Sequence, residues 1–187
     1  MARKGYDWEH GAPLLDHTER KLTVLQEYFS QYLCVRCVTV PQQGKFRLAV
    51  VDGFSGAGRY AAGEAGSPIV FLETLQNTMI GIAAKRASEG FRPIDLECYL
   101  VLNDADPNAT ALLRENLAPV ELAFREAIPS AKLHIEYESV PFENLYPKVK
   151  SRLKAGRFNN VLFNLDQCGD THVDRATIVD ILTTFDS

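Results

Sequence analysis

The chain lacks the features that mark membrane, disulfide-stapled or charge-driven proteins. It has no long apolar run. Stretches such as 100–102 and 161–163 fall far short of the ~18 residues a membrane-spanning helix needs. Its first ten residues, Met1 to His10, are polar and lack the apolar core of a signal peptide, so a cytoplasmic location is expected. Cysteine is scarce. Cys34, Cys37, Cys98 and Cys168 are too few and too scattered to staple 187 residues, and reduced thiols are expected. Cys34 and Cys37 have metal-like spacing, but no second Cys/His pair follows at a zinc-finger distance, so no metal is expected. Net charge is also small. Twenty basic and 24 acidic residues leave −4, with a pI near 5.6. That excludes holding nucleic acid by charge alone, and leaves room for a local basic patch.

What is present fits one globular domain. The chain is 46% hydrophobic and 24% charged, too apolar and too weakly charged to be disordered. A chain of this length buries roughly two-thirds of its unfolded surface. No repeat or low-complexity tract interrupts it.

Helical and strand patterns alternate. Asp16 and Glu19 read as a capping box, with Asp16 as N-cap. Leu22, Leu25, Phe29, Tyr32 and Leu33 follow at helical spacing, which predicts a helix over 17–34. Strands are predicted at 46–51, 95–103, 132–138 and 161–165. Helices are predicted at 69–87, 107–117, 120–127, 142–153 and 173–185, with Pro147 limiting or kinking the fourth of these. Strand–helix alternation implies a parallel sheet with helices on both faces. Residues 1–44 form an N-terminal helical cap and 45–187 the core. In such sheets ligands sit at the carboxyl ends of the strands, near the point where strand order reverses. The loops at 52–68, 103–107, 138–142 and 166–172 should therefore converge on one cleft.

The first loop, Asp52-Gly53-Phe54-Ser55-Gly56-Ala57-Gly58-Arg59-Tyr60, continues to Gly63 and Gly66. Glycines here allow positive φ and close backbone approach to a ligand. Dinucleotides, phosphates and S-adenosylmethionine are all bound by such loops. The spacing is GxxGxG rather than the dinucleotide GxGxxG, and the next candidate acid, Asp104, lies 46 residues beyond Gly58 rather than about 20. Gly58 is followed by Arg59-Tyr60, not the Lys-Ser/Thr of a P-loop. An acid at the strand end, Asp52, would repel a pyrophosphate and suits a ligand carrying an amine and a sulfonium.

Asp104, just after the second strand, is placed to hold ribose hydroxyls, whereas Asp106 before Pro107 reads as a helix N-cap. Ser139, in the loop Glu138-Ser139-Val140-Pro141-Phe142-Glu143, would meet an adenine amino group or cap a helix. Asp166 ends the fourth strand, where a carboxylate is costly unless hydrogen-bonded or used. It would face the reactive end of a cofactor, with Gln167 beside it. Cys168 reads as a small buried thiol. His17 and Lys21 share one face of the first helix and are candidate ligand contacts, as are Arg59 and Tyr60.

Four stretches together resemble the three-Cys-motif partner proteins, a bacterial group related to class I S-adenosylmethionine-dependent methyltransferases. They are His17-Thr18-Glu19-Arg20-Lys21, Val51 to Tyr60 with Gly66-Ser67-Pro68, Asn103 to Pro107, and Asn164 to Gly169. The resemblance implies a Rossmann-like methyltransferase fold. It implies cofactor contacts from Asp52, Gly53, Phe54, Ser55, Gly56, Gly58 and Asp104. Asp166 falls where amino-methyltransferases carry Asp/Asn-Pro-Pro-aromatic; this chain has Asp-Gln-Cys-Gly, which weakens methylation of a nucleobase amino group. The resemblance also implies a partner bearing the three-cysteine motif. The expected activity is methyl transfer to a nucleic acid or protein, or else cofactor binding and partner docking without catalysis. A complete sheet of this class has about seven strands and four are predicted. The chain thus reads as an N-terminal portion of a longer protein or a short variant, with an open sheet edge that favours a homodimer.

Overall fold

The structure, a computed structural model, describes residue 8 and residues 11–38, 44–166 and 173–185. It contains α1 (Asp16–Val38), β1 (Lys45–Asp52), α2 (Ser67–Ser88), β2 (Asp95–Asn103), α3 (Pro107–Ala127), β3 (Lys132–Glu138), α4 (Phe142–Ala155), β4 (Asn160–Asn164) and α5 (Arg175–Thr184). The four strands form one parallel sheet in the order β3-β2-β1-β4. This is an α/β architecture consistent with a Rossmann-like fold.

Strand parity explains the two covered faces. In β1, Phe46, Leu48 and Val50 point to one side, together with Leu96, Cys98, Leu100 and Leu102 of β2. They bury Phe29 and Leu33 of α1, Ile69, Phe71, Leu72 and Leu75 of α2, and Leu113, Leu117 and Phe124 of α3. Ala49 and Val51 point the other way, with Val101 and Val161, onto Leu145, Val149 and Leu153 of α4 and Ile181 and Phe185 beyond it. From Leu48 to Val51 both faces of β1 are dry, which is why this stretch reads as a continuous apolar run rather than an alternation.

Three expectations change. Helix α1 begins at Asp16, with the amides of Thr18 and Glu19 donating to the carbonyl of Leu15. Asp16 is therefore inside the first turn, where its charge favours the helix dipole, and is not the N-cap. The two helical pieces predicted around Pro119 are one continuous helix, α3. Leu113, Leu117, Val120 and Phe124 lie on one buried face spanning the proline, and their burial outweighs one missing N–H bond. Pro147 likewise sits inside α4 without ending it. Among the described residues, none pairs with the outer edge of β4, whereas Arg125 of α3 donates to the carbonyl of Leu133 on the edge strand β3. Among the described residues no helix is long and apolar enough to cross a membrane.

Candidate functional site

Because all four strands run the same way, their carboxyl ends lie at one end of the sheet. Strand order reverses between β1 and β4, where the amide of Gly53 donates to the carbonyl of Asn164 at 3.0 Å. Asn103 ties the remaining loops together. It is 1% exposed, and its Nδ2 donates to the carbonyls of Gly53 and Val140, both at 3.0 Å, while its Oδ1 accepts from the amide of Val140. The carbonyl of Asn103 accepts from the amide of Ser55 at 2.8 Å.

Asp52 is completely buried beneath this loop. Its carboxylate accepts from Ser67 Oγ at 2.7 Å and from Asn164 Nδ2 at 3.0 Å. Burial pushes its pKa up to about 6, against the opposing effect of those donors and of the Phe54 amide. Asp52 therefore offers no surface to a ligand; it joins the start of α2 to the end of β4.

Asp104 is half-buried, and its two oxygens are aimed at two backbone amides. Oδ2 accepts from Gly56 and Oδ1 from Asp106, each at 2.9 Å. Burial raises its pKa, and the two amides partly offset the rise. A carboxylate oxygen has two lone-pair sites, so each retains one for a further donor. Asp106 caps α3 through Asn108, as its position before Pro107 predicts.

The glycines are constrained mostly by the protein itself. A methyl group on Gly53 would meet Phe142 Cδ2 at 2.8 Å, and one on Gly58 (φ +78°) would meet Leu113 Cδ1 at 2.7 Å. Gly56 (φ +59°) is covered by the indole of Trp8. Phe54 packs beside Phe142, with ring centroids 5.8 Å apart. Ser55 is buried, its hydroxyl donating to the carbonyl of Asp52.

Lys21 and Asp166 meet in an ion pair at 2.6 Å, so the first helix does reach the end of β4. His17 is exposed one turn before Lys21. Ser139 is exposed just past β3 and does not cap α4, whose N-cap is Pro141. Tyr60 packs against Trp8, with centroids 5.8 Å apart. Arg59 points elsewhere. It donates to the carbonyl of Gly63 and lines a depression of about 340 Å³ between α2 and α3. Gln167, with Cys168, Gly169 and His172 beside it, lies outside the described residues. Among the described residues no cluster of His, Cys, Asp and Glu is arranged to hold a metal ion.

Sequence reasoning missed Asn103, Ser67, Asn164 and Trp8. For the two asparagines a signal existed. A polar side chain ending a buried strand must be paired or used, and this holds for Asn103 and Asn164 as much as for Asp166. The geometry thus joins a glycine-containing loop, a half-buried acid with spare acceptor sites, and an exposed ion pair at the far strand. It is suited to holding a polyhydroxylated ligand beside a carboxylate. The chain matches no protein family, no curated protein and no solved structure.

Proposed function

We propose that this protein binds S-adenosylmethionine across the loops following β1, β2 and β3 and transfers its methyl group to an acceptor beyond β4. The observation that carries this reading is the bond from the Gly56 amide to Asp104 Oδ2. It makes the loop after β1 and the acid after β2 one unit, with lone pairs left over for vicinal ribose hydroxyls. The reversal of strand order between β1 and β4 supports the same location. The resemblance to three-Cys-motif partner proteins and class I methyltransferases supports the same cofactor.

The cofactor would supply an electrophilic methyl on a sulfonium. The chain's contribution would be orientation and exclusion of water. Asp104 would hold the ribose, and Phe54, Gly56 and Ser139 would bound the nucleoside. Asp52 would set the loop from below rather than touch the ligand. Asp166, with Gln167, would orient the acceptor or take its proton, and Lys21 would hold the Asp166 side chain in place. The acceptor is a nucleic acid or a protein, the three-cysteine partner included.

A second reading is cofactor binding without transfer. One observation favours it: the Asp166 carboxylate is already engaged by Lys21. Calorimetric titration with S-adenosylmethionine, S-adenosylhomocysteine and NAD tests the binding step. Micromolar binding of the first two alone is expected, and heat from NAD alone would overturn the reading. Incorporation of labelled methyl into nucleic acid or protein then separates transfer from sensing.

A further inference from the structure

The charge of α4 is opposite in sign to that of the whole chain. From Phe142 to Arg157 there are five cations, Lys148, Lys150, Arg152, Lys154 and Arg157, against one acid, Glu143. The segment therefore carries +4 within a chain whose total is −4. Leu145, Val149 and Leu153 take the buried face of the helix, and all the cations but the half-buried Lys150 are exposed. Lys150 is held by Asp180, and Arg152 by Glu136 and Glu138. Lys148, Lys154 and Arg157 form no ion pair among the described residues. Arg157, at φ +54°, takes the left-handed position that closes the helix, where glycine is usual. The amide of Phe158 then donates to the carbonyl of Leu153 at 3.1 Å.

This basic segment ends at a depression of about 510 Å³. Arg152 and Phe158 line it from the end of α4, Tyr99 from β2, Lys132 and His134 from β3, and Arg125 from α3. The rings form a ladder. Tyr99 stacks on Phe158 and on His134, with centroids 5.9 and 5.3 Å away. His134 ends the ladder; it is exposed, and among the described residues Tyr99 is its only ring partner. Lys132 meets Asp95 only loosely, at 3.9 Å. Glu97 also borders the depression, but Arg47 holds its carboxylate through two bonds. Spaced cations beside stacked rings suit a strand of phosphates and bases. A lipid surface suits them less, because the exposed positions of α4 carry no large apolar side chain to insert. A duplex keeps its bases stacked inside and would not bring one to His134.

We propose that the outer side of α4 and the adjoining depression bind single-stranded nucleic acid, with phosphates on Lys148, Arg152, Lys154 and Lys132 and a base against His134. The depression borders the amino-terminal halves of β2 and β3, away from the glycine loop. The inference therefore goes beyond the cofactor reading and does not rest on it.

Fluorescence anisotropy with labelled single-stranded DNA and RNA of mixed sequence tests this, at about pH 8, where histidine is neutral, and with no cofactor present. Wild-type protein should bind both, with affinity falling steeply between about 50 and 200 mM salt. The double variant Lys148→Ala, Lys154→Ala loses two phosphate contacts, and its slope of log K against log salt should be shallower by about 1.4. His134→Ala should weaken binding roughly fivefold or more with the slope unchanged. Lys85→Ala, which removes a charge from α2, should alter neither. All four positions are exposed, so circular dichroism melts should match wild type. Absence of binding at low salt overturns the proposal, as does an unchanged slope and Kd in the double variant. An unchanged Kd in His134→Ala overturns the base contact. Duplex DNA, polyglutamate or phosphatidylserine vesicles bound as tightly as single strands would overturn the choice of ligand. Should a variant melt early, amide exchange of the wild type decides: single strands should slow exchange within 148–158, and no slowing there overturns the proposal.

Discussion

Lys21 Nζ lies 2.6 Å from Asp166 Oδ1, joining the first helix to the end of the last strand across 145 residues. Both side chains are about half exposed, so solvent screens the pair and its contribution to stability is small. Lys21→Ala should lower unfolding free energy by less than about 1 kcal/mol, with the loss shrinking further in high salt. Urea denaturation at two salt concentrations measures this. A loss of several kcal/mol would show that the contact is not a surface pair.

Asp104→Ala should abolish binding of S-adenosylhomocysteine. The substitution removes the acceptor proposed for the ribose and also leaves the amides of Gly56 and Asp106 without their partner. Asp104→Asn should fall between, because an amide presents one acceptor oxygen and turns an NH₂ donor toward the other amide. Calorimetry on both variants orders them. Unchanged affinity in Asp104→Ala would remove the ribose assignment.

Asp52 makes stability depend on pH in the direction opposite to most carboxylates. Burial raises its folded pKa to about 6, above the ~3.9 of an unfolded aspartate. The folded state therefore holds the proton more tightly. The stabilisation it brings is fully present below pH ~3.9 and is lost as pH rises through about 6. A shift of this size corresponds to on the order of 3 kcal/mol. Asp52→Asn keeps an acceptor for Asn164 and offers a donor to the Ser67 hydroxyl. It should be at least as stable as wild type at pH 7.5, with the advantage disappearing toward pH 4. Melts across that range check it, and parallel curves for the two proteins would contradict it.

Asn103→Leu should be among the most damaging single changes. It strands the carbonyl of Gly53 and both the amide and carbonyl of Val140 in a buried place. Each orphaned group costs about 1–3 kcal/mol. Hydrogen exchange should speed up at Val140 more than at the core strands. Protection at Val140 equal to wild type would refute the role given to Asn103.

The strands were readable because each is flanked by glycine, proline or a helix cap, and because β1 and β2 carry unbroken apolar runs at 48–51 and 98–102. Pro119 read locally as a break and Pro147 as a limit or kink inside its helix, but the face of each helix is buried against the sheet, and that long-range burial decides the matter. Asp16 read as a cap because its side chain suits the role, yet the backbone begins the helix one residue earlier. At the site, Asp104 and Asp106 were assigned from position alone. The burial of Asp52, by contrast, depends on Ser67 and Asn164, which lie 15 and 112 residues away along the chain.

By itself the sequence determined the order of elements, the parallel character of the sheet and the end at which its loops gather. Those follow from local periodicity and from the length of the connections, both written in neighbouring residues. Tertiary structure alone decided which polar groups at the loop end keep acceptor sites open and which hold the frame. It buried Asp52, turned Asp104 onto Gly56, and laid Trp8 on the loop. Each of those outcomes depends on a partner far away in the chain, and spacing along a sequence does not specify such partners.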